Sequence, residues 1–224
     1  QHIDTIEDQI AKANTQLNMN FLNTPNPKSD CEKLAVKEPV ITGNGDKQVV
    51  TYYEGRYVDD LDVSKGKVVF NEGDLVCIYG NIHLNNKEVI GKNVTIYIAD
   101  GGVIHFNGNA TNILVAPTDK NGPYFGLLFY VEGDSGKLYY NGNSSSYYSG
   151  LVYAPERNIE VGGNSDNDGG SCTEIPELAG VCEAITFPTI FVGLQVEMSG
   201  SAEVDILYNG QAVARIDPNL YLQK

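Results

Sequence analysis

From Gly80 onward four Gly-Asn steps punctuate this chain: Gly80-Asn81, Gly108-Asn109, Gly142-Asn143 and Gly163-Asn164. Glycine enters positive φ without a Cβ clash, and asparagine is among the few other residues that visit the left-handed region. A chain that turns sharply at the same corner of every coil uses this pair, and stacked asparagines there share amide hydrogen bonds. The pattern predicts a repeating all-β wall with Asn81, Asn109, Asn143 and Asn164 near one edge. Successive steps lie 28, 34 and 21 residues apart, so the coils differ in size and carry inserted loops. Gly-Asn also serves ordinary hairpins, which makes a β-sandwich the competing architecture.

The runs between the turns are short and β-branched or aromatic. Gln48–Tyr53, Lys67–Phe70, Leu75–Tyr79, Val94–Ile98, Val103–Phe106 and Gly126–Val131 are each followed within two residues by Gly, Asn or Asp, as strands are. No helical period of comparable length follows residue 20, which argues against alternating β and α units. Near the end, Asn209-Gly210 separates Val204–Tyr208 from Gln211–Arg215, a strong hairpin signal that predicts an antiparallel closing pair.

The first residues read differently. Ile3, Ile6, Ile10, Ala13 and Leu17 recur at spacings of three and four among polar residues, which predicts an amphipathic helix over 1–22, docked on its own domain or capping an open end. Two prolines in Asn23–Asp30 mark a linker. The expected organisation is thus a helix over 1–22, a linker and strand-containing arm over 23–65, and a β-solenoid over 66–224 ending in the hairpin. Residue 1 is Gln and the only methionines are Met19 and Met198. This reads as a chain from which an upstream signal or anchor has been removed, or one with an artificial boundary.

Charge and cysteine usage narrow the setting. Lys and Arg number 15 against 29 Asp and Glu, a formal charge of −14, which repels phosphate backbones and anionic headgroups and argues against nucleic-acid or membrane-surface partners. No run approaches the roughly 20 apolar residues of a spanning helix. Cys31, Cys77, Cys172 and Cys182 are even in number, with no Cys-x-x-Cys pair and no nearby histidine at zinc-ligand spacing. Disulfides are expected, paired in sequence order, with four buried thiols as the alternative.

The segment from Gly91 to Thr111, with Leu114-Val-Ala-Pro117, Gly122–Phe129, Asn141-Gly-Asn143 and Gly150-Leu-Val-Tyr-Ala-Pro155, resembles the Gly/Asn-rich C-terminal domain of Tad-type (tight adherence) pilus-assembly-associated proteins. The similarity spans about residues 66–208. It implies an extracytoplasmic parallel β-helix, displayed at the cell surface and carried behind an N-terminal transmembrane helix, with no catalytic residues. This chain differs in lacking that helix, in the arm before the domain and in a Cys-bounded insertion after Asn164.

Candidate chemistry is sparse. Asn164, Asp166 and Asp168 precede Gly169 at alternate positions, but the twelfth place of an EF-hand is Ile175 rather than Glu. A looser Ca²⁺ site on Asp166 and Asp168 and a solvated loop are the two readings, and no other cofactor is expected. Asp59-Asp60-Leu-Asp62 resembles the paired carboxylates of glycoside hydrolases, yet the His and Arg-Lys context of β-helix hydrolases is missing. His83 and His105, 22 residues apart, are placed to stack on adjacent coils, as satisfied surface residues or a metal pair. No Gly-x-Ser-x-Gly, phosphate loop or dinucleotide fingerprint occurs.

These readings converge on a non-enzymatic, extracellular structural subunit of a pilus or surface filament. Self-assembly, or assembly with pilus components, is expected through the N-terminal arm, represented by Ile3, Ile6, Ile10, Leu17, Val49 and Tyr52, with strands from Leu34–Val36 or Val49–Tyr53 adding to a neighbouring coil. The alternatives are a carbohydrate-binding adhesin that stacks surface glycans on Tyr139, Tyr140, Tyr147 and Tyr148, and, third, a polysaccharide-acting enzyme.

Overall fold

The computed structural model describes residues 24–85, 88–106, 111–142, 146–163 and 189–198. The expected N-terminal helix, the C-terminal hairpin, Cys172, Cys182, Asp166, Asp168, Asn109, Asn143 and Asn164 lie outside these residues. Within them the protein is all-β, a curled sheet with two short helical turns, the α-helical Lys28–Cys31 and the 3-10 turn Gly45–Lys47.

The strands are β1 Val40–Thr42, β2 Val49–Tyr52, β3 Gly55–Tyr57, β4 Leu61–Val63, β5 Lys67–Phe70, β6 Leu75–Ile78, β7 Asn81–Leu84 and β8 Glu88–Gly91. They continue as β9 Thr95–Ile98, β10 Val103–Phe106, β11 Thr111–Val115, β12 Leu127–Val131, β13 Lys137–Gly142, β14 Tyr147–Gly163 and β15 Thr189–Met198. From β2 to β11 each strand pairs in parallel with the third one after it, and the long β14 then pairs in turn with β11, β12, β13 and β15. The first ladder is β2-β5-β8-β11-β14, the second β3-β6-β9-β12-β14-β15, and the third β4-β7-β10-β13-β14-β15. Only β1 runs antiparallel, along β2. Because the ladders begin at Val49, the expected boundary at 65 moves toward the N-terminus. Val49 and Tyr52 belong to the first rung rather than to a free arm.

Alternation sets the core. Side chains on a strand point to opposite faces, and the in-register pairing stacks like positions, so Val50, Val68 and Val89 form one inward column. Tyr52, Phe70 and Leu114 share another, and Val76, Ile96, Phe129 and Val152 a third. All are buried and join Ile82, Ile104 and Leu138 of the third ladder in one apolar cluster. Each such side chain contributes roughly 1.5–3 kcal/mol relative to exposure.

The turns between ladders are held by specific polar contacts. At the bend between the first and second ladders, Asn93 is the only described non-glycine residue with positive φ, 51°. Its Nδ2 donates to Glu72 Oε1 at 3.0 Å, and its Oδ1 accepts from Thr118 Oγ1 at 3.1 Å. Asn81, by contrast, is the first residue of β7 and pairs with Val103. Register thus puts a valine opposite Asn81, and Asn109 lies outside the described residues.

β14 crosses all three ladders without a loop, bending at Gly150, whose φ is 129° and where a Cβ would sit 2.5 Å from that of Ala116. Its second bend carries Arg157, only 1 % exposed. The guanidinium donates from Nη1 to Gly102 O at 2.8 Å, from Nη2 to Glu132 O at 2.7 Å and from Nε to Gly133 O at 3.1 Å. One cation thus satisfies carbonyls from two earlier bends, 99–102 and 132–133. Burial lowers its pKa, opposed by nearby Asp100 and Asp134.

The segment before β1 straps the second ladder. Cys31 and Cys77 are disulfide-bonded with Cα atoms 5.8 Å apart, and both are fully buried. They pack with Leu75, Tyr97 and Ala99, and with the partly buried Leu34, Tyr79, Tyr124 and Tyr130. Lys28 pairs with Glu132 at 3.0 Å, and Tyr124 hydrogen-bonds Asp30.

Two outcomes follow from this packing. Arg157→Ala leaves buried carbonyls unpaired and is expected to cost about 3 kcal/mol or more in urea denaturation; a loss below about 1 kcal/mol contradicts the clamp. Replacing Cys31 and Cys77 together by serine is expected to cost about 2–4 kcal/mol and to open residues 24–39 to protease while the far-UV spectrum keeps its strand signal.

Candidate functional site

The outer side of the third ladder carries a column of chemically rich side chains. Register places Asp62 against His83, His83 against His105, His105 against Tyr139, Tyr139 against Glu160 and Glu160 against Glu197. They point outward because the intervening residues, among them Ile82, Leu84, Ile104, Phe106, Leu138 and Ile159, fill the core. The His83 and His105 rings meet edge to face at 5.8 Å, and His105 lies 4.8 Å from Tyr139. Lys137 Nζ bridges Glu160 at 3.3 Å and Glu197 at 2.9 Å, and both carboxylates raise its pKa. Burial and the neighbouring His83 lower the pKa of His105, favouring its neutral ring. Gln195 Nε2 donates to Glu197 Oε1 at 2.9 Å.

The three acids of the Asp59-Asp60-Leu-Asp62 motif serve separate places. Asp62 heads the outer column and accepts from Asn85 Nδ2 at 3.4 Å. Asp60 Oδ1 accepts the Asn81 backbone N–H at 2.7 Å, which lowers its pKa. Asp59 shares a hydrogen bond with Glu38 at the start of the stack, which holds the Glu38 carboxyl above its ordinary range. Among the described residues no group of three or more His, Cys, Asp or Glu is arranged to hold a metal ion.

The first rungs form a second feature. Val36 makes a parallel bridge with Arg56, and Lys37 N–H donates to Arg56 O at 2.8 Å. Leu34–Val36 and Val49–Tyr53 are therefore engaged within their own chain, against the expectation that they add to a neighbour. Beyond them Val36, Val40 and Ile41 are 50 %, 47 % and 52 % exposed, and β1 pairs with β2 alone among the described strands.

The expected stacking tyrosines divide. Tyr139 stands in the outer column, Tyr147 is half-buried on the first ladder, and Tyr140 stands opposite Val161. Tyr148 is 7 % exposed and part of the core, so it offers no platform; strand alternation puts it at an inward position, opposite the buried Leu114. Sequence reading missed the tyrosine column of the second ladder, where Tyr97 and Tyr130 lie 6.2 Å apart and Tyr130 and Tyr153 5.3 Å apart. It also missed Arg157, whose only signal is the rarity of arginine, at positions 56, 157 and 215.

The Glu38–Asp59 pair carries a pH dependence. A carboxyl whose pKa is raised on folding contributes stability that is fully present below its unfolded value and lost as pH rises through the folded one. Protection of the Lys37 N–H, corrected for intrinsic exchange, is expected to increase as the pH falls from neutrality toward the ordinary carboxylate range, and Glu38→Gln is expected to remove that trend. A trend that survives the substitution excludes the shared proton as its source.

Among the described residues no helix is long and apolar enough to cross a membrane. No curated protein and no solved structure matches the chain. One family model, described as a domain of unknown function (DUF7305), matches residues 2–187, most of the chain including every ladder strand before β15. The protein therefore belongs to the DUF7305 family.

Proposed function

We propose that this chain is a parallel β-helix of the cell surface, a non-enzymatic structural subunit of a pilus or other filament of the kind its Gly/Asn-rich segment resembles. The β-helix reading rests on the three-strand recurrence of parallel pairing around one core. An oxidising, extracellular setting is supported by the buried Cys31–Cys77 bond. The acidic charge of −14 favours a soluble surface component over a nucleic-acid binder.

One observation carries the assembly reading: the outer edge of β1. A strand with an unpaired edge is a template for another chain. Val40 and Ile41 stand about half exposed on this one, beside Val36. Strand addition supplies main-chain hydrogen bonds, and the exposed aliphatic side chains supply apolar burial. The edge of β1 thus takes the role that the sequence suggested for Leu34–Val36 and Val49–Tyr53.

The native chain is expected to form concentration-dependent oligomers or filaments in sedimentation velocity and negative-stain microscopy. The double substitution Val40→Lys and Ile41→Lys should leave it monomeric, with stability changed by no more than about 0.5 kcal/mol per exposed site. A native chain that stays monomeric throughout, or a double variant that assembles as the native one does, overturns this reading.

A further inference from the structure

The outer columns of the three ladders are used differently. On the second, Cys77 and Tyr97 are covered by the strap that carries Cys31 and Leu34. On the first, Ile90 and Ile113 are 8 % and 3 % exposed. The third column keeps Asp62 and His83 exposed and His105, Tyr139, Glu160 and Glu197 half-buried, which leaves a strip of rings and carboxylates open along the rungs.

We infer that this strip, from Asp62 through His83, His105 and Tyr139 to Glu160 and Glu197, binds a linear polysaccharide without carboxylate or sulfate groups, lying lengthwise along the ladder. The chemistry of the column selects the ligand. A pyranose presents an apolar ring face and an edge of hydroxyls. The His83, His105 and Tyr139 rings offer flat, amphipathic surfaces for the face, and ionised carboxylates accept hydrogen bonds from hydroxyls on either oxygen. Gln195 adds an amide beside Glu197.

Geometry favours a chain over a single sugar. Adjacent strands lie about 4.8 Å apart, so six in-register positions span about 24 Å. A sugar unit is about one rung long, so successive units of an extended glycan meet successive rungs. Charge sets the class. Asp62 flanks the rings at one end and Glu160 and Glu197, bridged by Lys137, at the other, so three carboxylates against one ammonium leave the column net acidic, and a chain carrying −14 overall repels uronates and sulfated glycans. A protein partner would require an apolar centre to the patch, whereas this centre is imidazole and phenol between carboxylates. The inference stands apart from assembly at β1, since a monomer presents the same column.

Titration calorimetry of the native chain with linear oligosaccharides of two to six units tests it, using neutral and amino hexose series beside oligogalacturonate. At least one non-anionic series is expected to bind, with affinity rising per added unit until the column is filled, while oligogalacturonate does not bind. Tyr139→Ala and His105→Ala should each weaken binding roughly three- to tenfold, the loss of one ring contact, with melting temperature and circular dichroism as folding controls. If either variant fails to fold, His83→Ala, an exposed ring, should show the same loss. No binding by any non-anionic series, preference for oligogalacturonate, or affinity unchanged in the folded ring variants overturns the assignment.

Discussion

Parallel backbone pairing between each strand and the third one after it governs this molecule. Once Val50 is registered on Val68 and Val68 on Val89, every other side chain in those strands is committed to a face. A slip of one residue in β7 or β10 would turn His83 or His105 inward and expose Ile82, Leu84, Ile104 or Phe106. The burial of those aliphatic and aromatic side chains thus fixes the outer columns as firmly as the core. The two histidines meet because their neighbours are buried, and their own contact contributes little to placing them.

A ladder satisfies the backbone along its strands and leaves it unsatisfied at the bends. Glycine and asparagine provide the turn conformation, but carbonyls that face inward at a bend still need donors. Arg157 is the answer at the bend between the second and third ladders, where its fork serves bends at 99–102 and 132–133. At the bend between the first and second ladders the smaller Glu72, Asn93 and Thr118 hand hydrogen bonds from rung to rung. Different corners are therefore solved with different chemistry, a buried guanidinium clamp in one place and a relay of short side-chain hydrogen bonds in another.

How much of this was legible in sequence follows the same division. Runs such as Leu75–Ile78 and Val103–Phe106 were readable because β-branched content and flanking Gly or Asp are local signals. The order of the cysteines suggested the Cys31–Cys77 pairing, and the 22-residue spacing of the histidines suggested adjacent rungs. Gly-Asn marks a tight turn without saying on which side of it a strand begins, and Asn81 is the first residue of β7. β14 was hidden because Gly150 and Pro155 look like breaks, whereas here they bend one continuous strand around the core. The start of the ladders was set too late, since Gly55, Asp59 and Asp60 dilute the apolar signal of the first rungs. Arg157 and the tyrosine column depend on residues brought together across three or more rungs, which no window of sequence contains.

The strap at Cys31 also decides how the fold responds to force. The disulfide closes a loop from Cys31 to Cys77, 46 residues apart, that contains the whole of β1 to β5. Tension entering from the residues before Cys31 passes through the sulfur bridge into β6, which is hydrogen-bonded to β3 on one side and β9 on the other. The first rungs are bypassed and cannot be peeled away one at a time. Load is delivered to a strand held on both edges, where many hydrogen bonds resist together, and the edge of the sheet is spared the role of weakest link.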